Sequence, residues 1–223
     1  MFSAAIFDMD GLLIDSERAT MNAWIGAAKH HGIDFHPSDY LPVIGQTAAD
    51  SDWILMSRLG GQSAFHQVSE RVSELLEMAP PDMRFPLKPG VLDLLSSLRT
   101  RGVPCAVASS SNLSDIRERL AAVGVLECFQ ALAGGDEVIK GKPDPAVYHL
   151  AAARLGMDPV RCLAFEDSEN GALAASGAGS KVILVPDLNP PCAAIATRCF
   201  RILNSLHEAL EHIPSWFASQ GSA

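Results

Sequence analysis

The chain opens on a short apolar run, Ala4 to Phe7, that ends abruptly in acid at Asp8-Met9-Asp10-Gly11. Apolar runs of this length bounded by turn residues read as buried strands. The two carboxylates therefore sit where a strand gives way to a loop. From Ser16 to His31 the period changes, and Ala19, Ala23, Trp24, Ala27 and Ala28 fall on one side of a helix that Gly32 stops. Residues 34–45, with Pro37 and Pro42, read as a loop or a broken helix. Two more helical stretches, Thr47–Leu59 and Ser63–Met78, end at Gly60-Gly61 and Pro80-Pro81.

After Pro89-Gly90 helices and strands alternate. The pattern predicts helices at Val91–Arg101, Leu113–Val123, Pro145–Leu155, Asn170–Ser176 and Ser205–His212. It predicts strands at Val103–Ala108, Ala131–Ala133, Arg161–Phe165 and Lys181–Val185. Strands alternating with helices of about ten residues imply βαβ units and a parallel sheet. The simplest architecture is α/β, a doubly wound, Rossmann-like parallel-sheet core of residues 1–15 and 82–223 with a helical domain inserted at 16–81. In such sheets ligands bind beyond the carboxyl ends of the strands. Three of those ends carry polar clusters, Asp8/Asp10, Ser109/Ser110 and Glu166/Asp167, and they are expected to converge.

Composition narrows the partners. The 223 residues are 48% hydrophobic, enough for a sizeable core, and carry a net charge of −9. That charge argues against nonspecific nucleic-acid or anionic-membrane binding. It leaves anionic substrates open, because a bound metal ion can dominate the local field. Cys105, Cys128, Cys162, Cys192 and Cys199 include no CxxC pair, and read as reduced thiols of a cytoplasmic protein without a zinc site. The seven histidines form no metal-spaced cluster. No run reaches the roughly 18 apolar residues of a membrane span. Met1 to Phe7 lacks the basic start and long apolar stretch of a signal peptide.

Each polar cluster has a chemical and a plain reading. Asp8 and Asp10 lie two residues apart before Gly11 and are either turn residues or a pair of carboxylates that repel unless a proton or cation intervenes. With Asp167 they make a hard, oxygen-rich site suited to Mg²⁺. Ser109, at a strand end, offers a hydroxyl and nearby N–H groups to phosphate oxygens, or belongs to a turn and helix cap ending at Asn112. Lys142, framed by Pro143 and Pro145, is either a solvated lysine or a fixed positive charge for a phosphoryl group. Asp167 is either a helix N-cap or a metal ligand.

Taken in order, Asp8-Met9-Asp10-Gly11, Ser109, Lys142 and Glu166-Asp167 resemble the four motifs of the haloacid dehalogenase-like (HAD) hydrolases. The resemblance covers nearly the whole chain, and the helical insertion stands where that family's first cap type sits. Phe7 to Glu17, Gly141 to Pro145 and Phe165 to Ser168 look like its small-substrate phosphatase branch. That branch includes pseudouridine-5′-phosphatase, 2-deoxyglucose-6-phosphatase, phosphoglycolate phosphatase and β-phosphoglucomutase. The resemblance implies an Asp8 nucleophile that also ligates Mg²⁺, and an Asp10 acid/base whose backbone carbonyl is a metal ligand. It implies Asp167 as a further ligand, with Glu166 in the first or second shell. Ser109, the Ser110 N–H and Lys142 would hold the transferring phosphoryl. The expected partner is a small phosphorylated metabolite, with neither nucleic acid nor membrane involved, and the expected assembly is a monomer or weak dimer.

The same resemblance implies that residues 16–81 act as a cap that excludes water and selects the leaving group, with hinges near Asp15 and Pro86-Leu87. Arg18, Trp24, Gln46, Trp53 and Arg58 are candidate substrate contacts there, although Trp24 and Trp53 also fit a packing role. Thr20 stands where β-phosphoglucomutases carry a cap histidine, and Ala48 where they carry a phosphate-gripping arginine, a role open to Arg58. Those departures suit hydrolysis better than a mutase. A noncatalytic regulator binding a phosphorylated ligand is a third reading, and a dehalogenase a fourth.

Overall fold

The computed structural model describes residues 1–44 and 48–218. The first strand, β1 (Ala4–Phe7), is completely buried, as a strand covered on both faces of a parallel sheet must be. The chain then leaves the sheet for α1 (Ser16–His30), α2 (Pro37–Tyr40), α3 (Ala48–Leu59), α4 (Gln62–Met78) and α5 (Pro81–Arg84). It returns through α6 (Val91–Thr100), β2 (Cys105–Ala108), α7 (Leu113–Ala122), β3 (Ala131–Ala133), α8 (Ala146–Arg154) and β4 (Cys162–Glu166). The last elements are α9 (Glu169–Gly177), β5 (Lys181–Leu184), α10 (Ala193–Ala196), β6 (Arg201–Ile202) and α11 (Leu206–Trp216).

The six strands are ordered β3-β2-β1-β4-β5-β6, and every neighbouring pair is parallel. The chain winds outward from β1 to β3, then crosses to the other side of β1 for β4 to β6. The point where the winding reverses lies between β1 and β4. A crevice opens at such a point, so chemistry is expected there.

Side chains alternate across the sheet. Ala4, Ile6, Ala106, Ala164, Val182 and Leu184 share one face with Val147, Tyr148 and Ala151 of α8 and Ala172 and Ala175 of α9. Small strand residues on this face let both helices approach closely. Phe7 and Phe165 lie on the opposite face, stacked at 4.8 Å. Phe165 meets Trp216 of α11 there at 6.3 Å. The five cysteines are free.

The structure divides into two compact units, Met1–Ile14 with Leu87–Ala223, and Asp15–Pro86. Asp15 and residues 82–86 thus group with the helical unit. That unit has a core of its own, including Trp24, Leu55, Phe65 and Val68. Trp24 stacks on Phe65 at 5.8 Å and is a packing residue. Trp53 is 70% exposed. Arg58 pairs with Asp39 at 3.3 Å. Gln46 and Thr47 lie outside the described residues.

Three short elements, α5, α10 and β6, have no counterpart in the sequence reading. Both residues of β6 are exposed, so no buried apolar run marks the strand. Helix α11 runs past its expected end at His212. Pro214 reads as a helix stop, but burial of Ile213 and Trp216 carries the helix through it. No helix among the described residues is long and apolar enough to cross a membrane.

Candidate active site

Register builds the site. Ile6 pairs with Ala164 and Phe7 with Phe165, so the next residue on each strand, Asp8 and Glu166, falls on the face that α8 and α9 cover. The Asp8 N–H donates to the Phe165 carbonyl at 3.0 Å, keeping the two strand ends flush. Asp8 is 6% exposed and Glu166 fully buried. Two carboxylates side by side in that setting demand a cation.

Lys142 supplies one. Its Nζ donates to Asp8 Oδ1 at 2.5 Å and to Glu166 Oε1 at 2.6 Å. The loop that carries it is anchored by Asp144, whose carboxylate accepts from the Ala146 N–H at 3.1 Å at the start of α8. Tyr148, on the same helix, donates its hydroxyl to Glu166 Oε1 at 2.5 Å and presents its ring 5.2 Å from the Lys142 ammonium. Glu166 Oε2 accepts from the Asp167 N–H and the Ser168 hydroxyl. Glu166 thus has partners on both oxygens and serves as the anchor of the lysine.

Asp167 is not a helix cap. Ser168 holds that position for α9, and its hydroxyl accepts from the Gly171 N–H at 3.2 Å. Oxygens of Asp8, Glu166 and Asp167 lie within 4.8 Å of one another. Among the described residues this is the group of acidic, histidine or cysteine side chains gathered closely enough to hold a metal ion. Three carboxylates face one ammonium, so the pocket keeps a surplus of negative charge. Burial raises the Asp8 carboxyl to about 7 against the pull of Lys142, with Glu166 and Asp10 adding to the rise. Burial, then the charges of Asp8 and Glu166, hold Asp167 well above the ordinary carboxylate range. Burial would lower the Lys142 ammonium, but the two carboxylates outweigh it and the net shift is upward. Burial and the Glu166 charge keep Tyr148 protonated. An all-oxygen, electron-rich pocket fits a hard divalent cation such as Mg²⁺ and suits softer metals poorly.

Two glycines make room. A Cβ on Gly171 would stand 2.0 Å from the Glu166 carboxylate carbon. Gly11, at φ +85°, would drive a Cβ to 2.1 Å from Asp167 Oδ2. Gly11 thus has both a backbone reason and a packing reason to be glycine.

Asp10 turns the other way. Its Oδ1 accepts from Arg119 Nη1 at 2.8 Å, and its Oδ2 from the Ser111 hydroxyl at 2.8 Å and the Ser109 hydroxyl at 3.4 Å. Ser109 is 1% exposed, and its oxygen accepts from the Ser111 N–H at 3.0 Å. Ser110 is exposed beside it. A Cβ on Gly135 would stand 2.3 Å from the Ser110 carbonyl oxygen, so the loop after β3 packs directly on the serine loop.

A profile of the haloacid dehalogenase-like hydrolases matches residues 2–179. The chain belongs to that family. Hexitol phosphatase B of Escherichia coli K12 is 35% identical over 192 residues, 82% of this chain and 83% of that protein. A phosphorylated carbohydrates phosphatase of Thermotoga maritima is 30% identical over 215 residues, 93% of this chain and 99% of that one. A HAD family hydrolase of Deinococcus radiodurans, solved with phosphate and sodium, superposes with a TM-score of 0.78 at 26% identity, covering 96% of this chain and 95% of that one. The six-stranded parallel sheet flanked by helices is the HAD-like core.

The structure brings Asp8, Lys142, Glu166 and Asp167 into one cluster, and Asp10 and Ser109 into an adjoining one. The Asp10 carboxylate lies outside the acidic group, and the expectation for Asp10 concerns its backbone carbonyl. Asn112 occupies the cap position of α7 without a side-chain bond. Asp136 accepts from the Leu113 N–H at 2.9 Å instead. Sequence reasoning missed Tyr148, Arg119 and the bond of Ser111 to Asp10. Tyr148 reads as a core aromatic and Arg119 as one charge among several on α7. The tertiary fold alone singles them out.

Proposed function

We propose that the protein is a Mg²⁺-dependent phosphatase that hydrolyses a small phosphomonoester, a sugar or nucleoside phosphate, through an aspartyl-phosphate on Asp8. The observation that carries this reading is the convergence of the Asp8, Glu166 and Asp167 carboxylates, the first two bonded to Lys142, at the switch point of the sheet. Named phosphatases of phosphorylated carbohydrates among the relatives favour the sugar-phosphate class.

Asp8 Oδ attacks phosphorus in line, the new O–P bond forms, and the bond to the leaving oxygen breaks with its electron pair. Asp10 gives that oxygen a proton, then takes one from the water that cleaves the aspartyl-phosphate and regenerates Asp8. Lys142, the Ser109 hydroxyl and the Ser110 N–H balance charge on the transferring phosphoryl. Asp8, Asp167 and the Asp10 carbonyl would hold Mg²⁺, whose charge offsets the repulsion between carboxylate and phosphate dianion. Tyr148 and Glu166 fix Lys142 in place.

The test measures phosphate release from hexitol phosphates, glucose phosphates, nucleotides, pseudouridine 5′-phosphate and p-nitrophenyl phosphate, with Mg²⁺, with EDTA, and with Asp8→Asn. Metal-dependent release that Asp8→Asn abolishes is the expected result. Conversion of β-glucose 1-phosphate to the 6-phosphate in place of hydrolysis would replace this reading with a phosphosugar mutase.

A further inference from the structure

Helix α7 buries Ile116 and Leu120, one turn apart, which fixes its rotation. Arg119 stands three residues after Ile116, on the flank of that buried face. Helical side chains lean toward the N-terminus, so its guanidinium is directed back along the helix toward the Ser109–Ser111 loop. There Nη1 donates to Asp10 Oδ1 at 2.8 Å. The other Asp10 oxygen accepts from Ser111 Oγ at 2.8 Å and Ser109 Oγ at 3.4 Å. The carboxylate is therefore gripped from two directions by two segments, the second turn of α7 and the loop before it.

This grip bears on the reaction. A serine hydroxyl has one proton to donate. When Ser109 gives it to a phosphoryl oxygen, that hydrogen bond to Asp10 is lost, and Ser111 and Arg119 remain. Arg119 also carries a charge, and its bond is charge-assisted and directional. A carboxyl that hands a proton to a leaving oxygen works only where it is aimed, since small displacements of a reacting group cost large factors in rate.

We infer that Arg119 is a positioning residue for the acid/base Asp10, setting where its carboxyl stands when the phosphoryl group occupies Ser109. The inference rests on the Asp10 role proposed above. Arg119 touches no reacting atom, so its effect on formation of the aspartyl-phosphate follows the need for proton donation, while its effect on the later attack of water is the same for every ester. An alkyl phosphate has a poor leaving group and needs the proton. The p-nitrophenolate of p-nitrophenyl phosphate departs without one.

The experiment compares kcat and KM of the full-length wild type, Arg119→Ala and Arg119→Lys, with saturating Mg²⁺, on p-nitrophenyl phosphate and on a hexitol 6-phosphate. Arg119→Ala should lower kcat/KM on the alkyl ester, which reports the steps up to loss of the leaving group, about 30-fold, below the full worth of an acid/base group. Its kcat/KM on the aryl ester should change less than about threefold by the same reasoning. Arg119→Lys should restore part of the alkyl-ester rate. In an Asp10→Asn background, Arg119→Ala should have no further effect on the alkyl ester. Equal losses of kcat/KM on both esters, an unchanged or raised alkyl-ester kcat/KM, or an undiminished effect in the Asp10→Asn background would each overturn the inference. Thermal unfolding of each variant separates these results from misfolding. Failure of the wild type to release phosphate from these esters and from the wider panel above would overturn the phosphatase reading itself. Normal wild-type turnover with an inert Arg119→Ala would overturn this inference alone.

Discussion

Asp8 and Asp10 are separated by one residue, and each carboxylate is paired with a cation, yet their surroundings differ. Asp8 is nearly sealed, and its lysine is shared with the fully buried Glu166. Asp10 is 24% exposed in its side chain, and its arginine 28%. In the first place desolvation dominates and pushes the carboxyl upward, so the pair holds charge in tension that a divalent ion would relieve. In the second, water shares the load, and the pairing fixes direction more than it stores energy. The same cation–carboxylate chemistry serves the proposed nucleophile and the proposed acid/base by a change of depth and by the turn at Met9-Asp10-Gly11.

The contrast can be broken hardest at its buried side. Lys142→Met leaves Asp8 and Glu166 without their ammonium. Chemical unfolding should show a loss of about 3 kcal/mol, the low end for a broken buried pair because the carboxyls can take up protons. The rate should fall on the order of 10²–10³, the worth of a fixed charge on the reacting group. Unchanged stability would mean that the buried carboxylates do not depend on Lys142.

A subtler break enters from α9. Gly171→Ala places a methyl 2.0 Å from a carboxylate carbon that Lys142, Tyr148 and Ser168 hold in place. The expected cost is about 2 kcal/mol, typical of overpacking, with Mg²⁺ affinity reduced about tenfold through the displaced neighbour of the ligands. Calorimetric Mg²⁺ titration checks the second figure. Wild-type affinity in a destabilised variant would show that Glu166 does not orient the site.

The smallest effect sharpens the exposed side. Glu137 forms two bonds with Arg154 and accepts from the Gly134 N–H, behind the loop that packs on Ser110. The arginine and that N–H lower its carboxyl to about 2 from 4.5. A carboxyl lowered by folding adds stability that is complete above its unfolded value and vanishes as pH falls through its folded one. The melting-temperature gap between wild type and Glu137→Gln should therefore be constant above about pH 5 and close toward pH 2. A gap that does not narrow with acid would assign the effect to shape, not charge.

Much of the architecture was legible because buried strands write themselves as apolar runs. Ala4–Phe7 and Arg161–Phe165 both stop at acid, and the alternation of strands and helices predicted that these ends and the Ser109/Ser110 end converge. Asp8, Lys142 and Asp167 could be picked out from local pattern and family resemblance together. The local competition for cap positions could not be read. Asp167 and Ser168 are both good caps by type, and the structure gives the position to Ser168 while Asp136 serves α7. Arg119 was illegible for another reason. α7 carries several charges, and only the burial of Ile116 and Leu120 says which of them looks inward. Strand β6 has no buried side chain to announce it.

Asp8 and Lys142 lie 134 residues apart in sequence, and this has a consequence for biosynthesis. Of the six strands β1 leaves the ribosome first, yet it is central in the sheet, and its flanking strand β4 is made more than 150 residues later. Long-range parallel pairing of this kind is slow to form and leaves strand edges open meanwhile. Until Lys142 and the residues of β4 emerge, Asp8 can only be a solvated carboxylate at the end of a sticky apolar segment. Its charge then works as a gatekeeper, protecting the nascent chain at the spot proposed for the later chemistry.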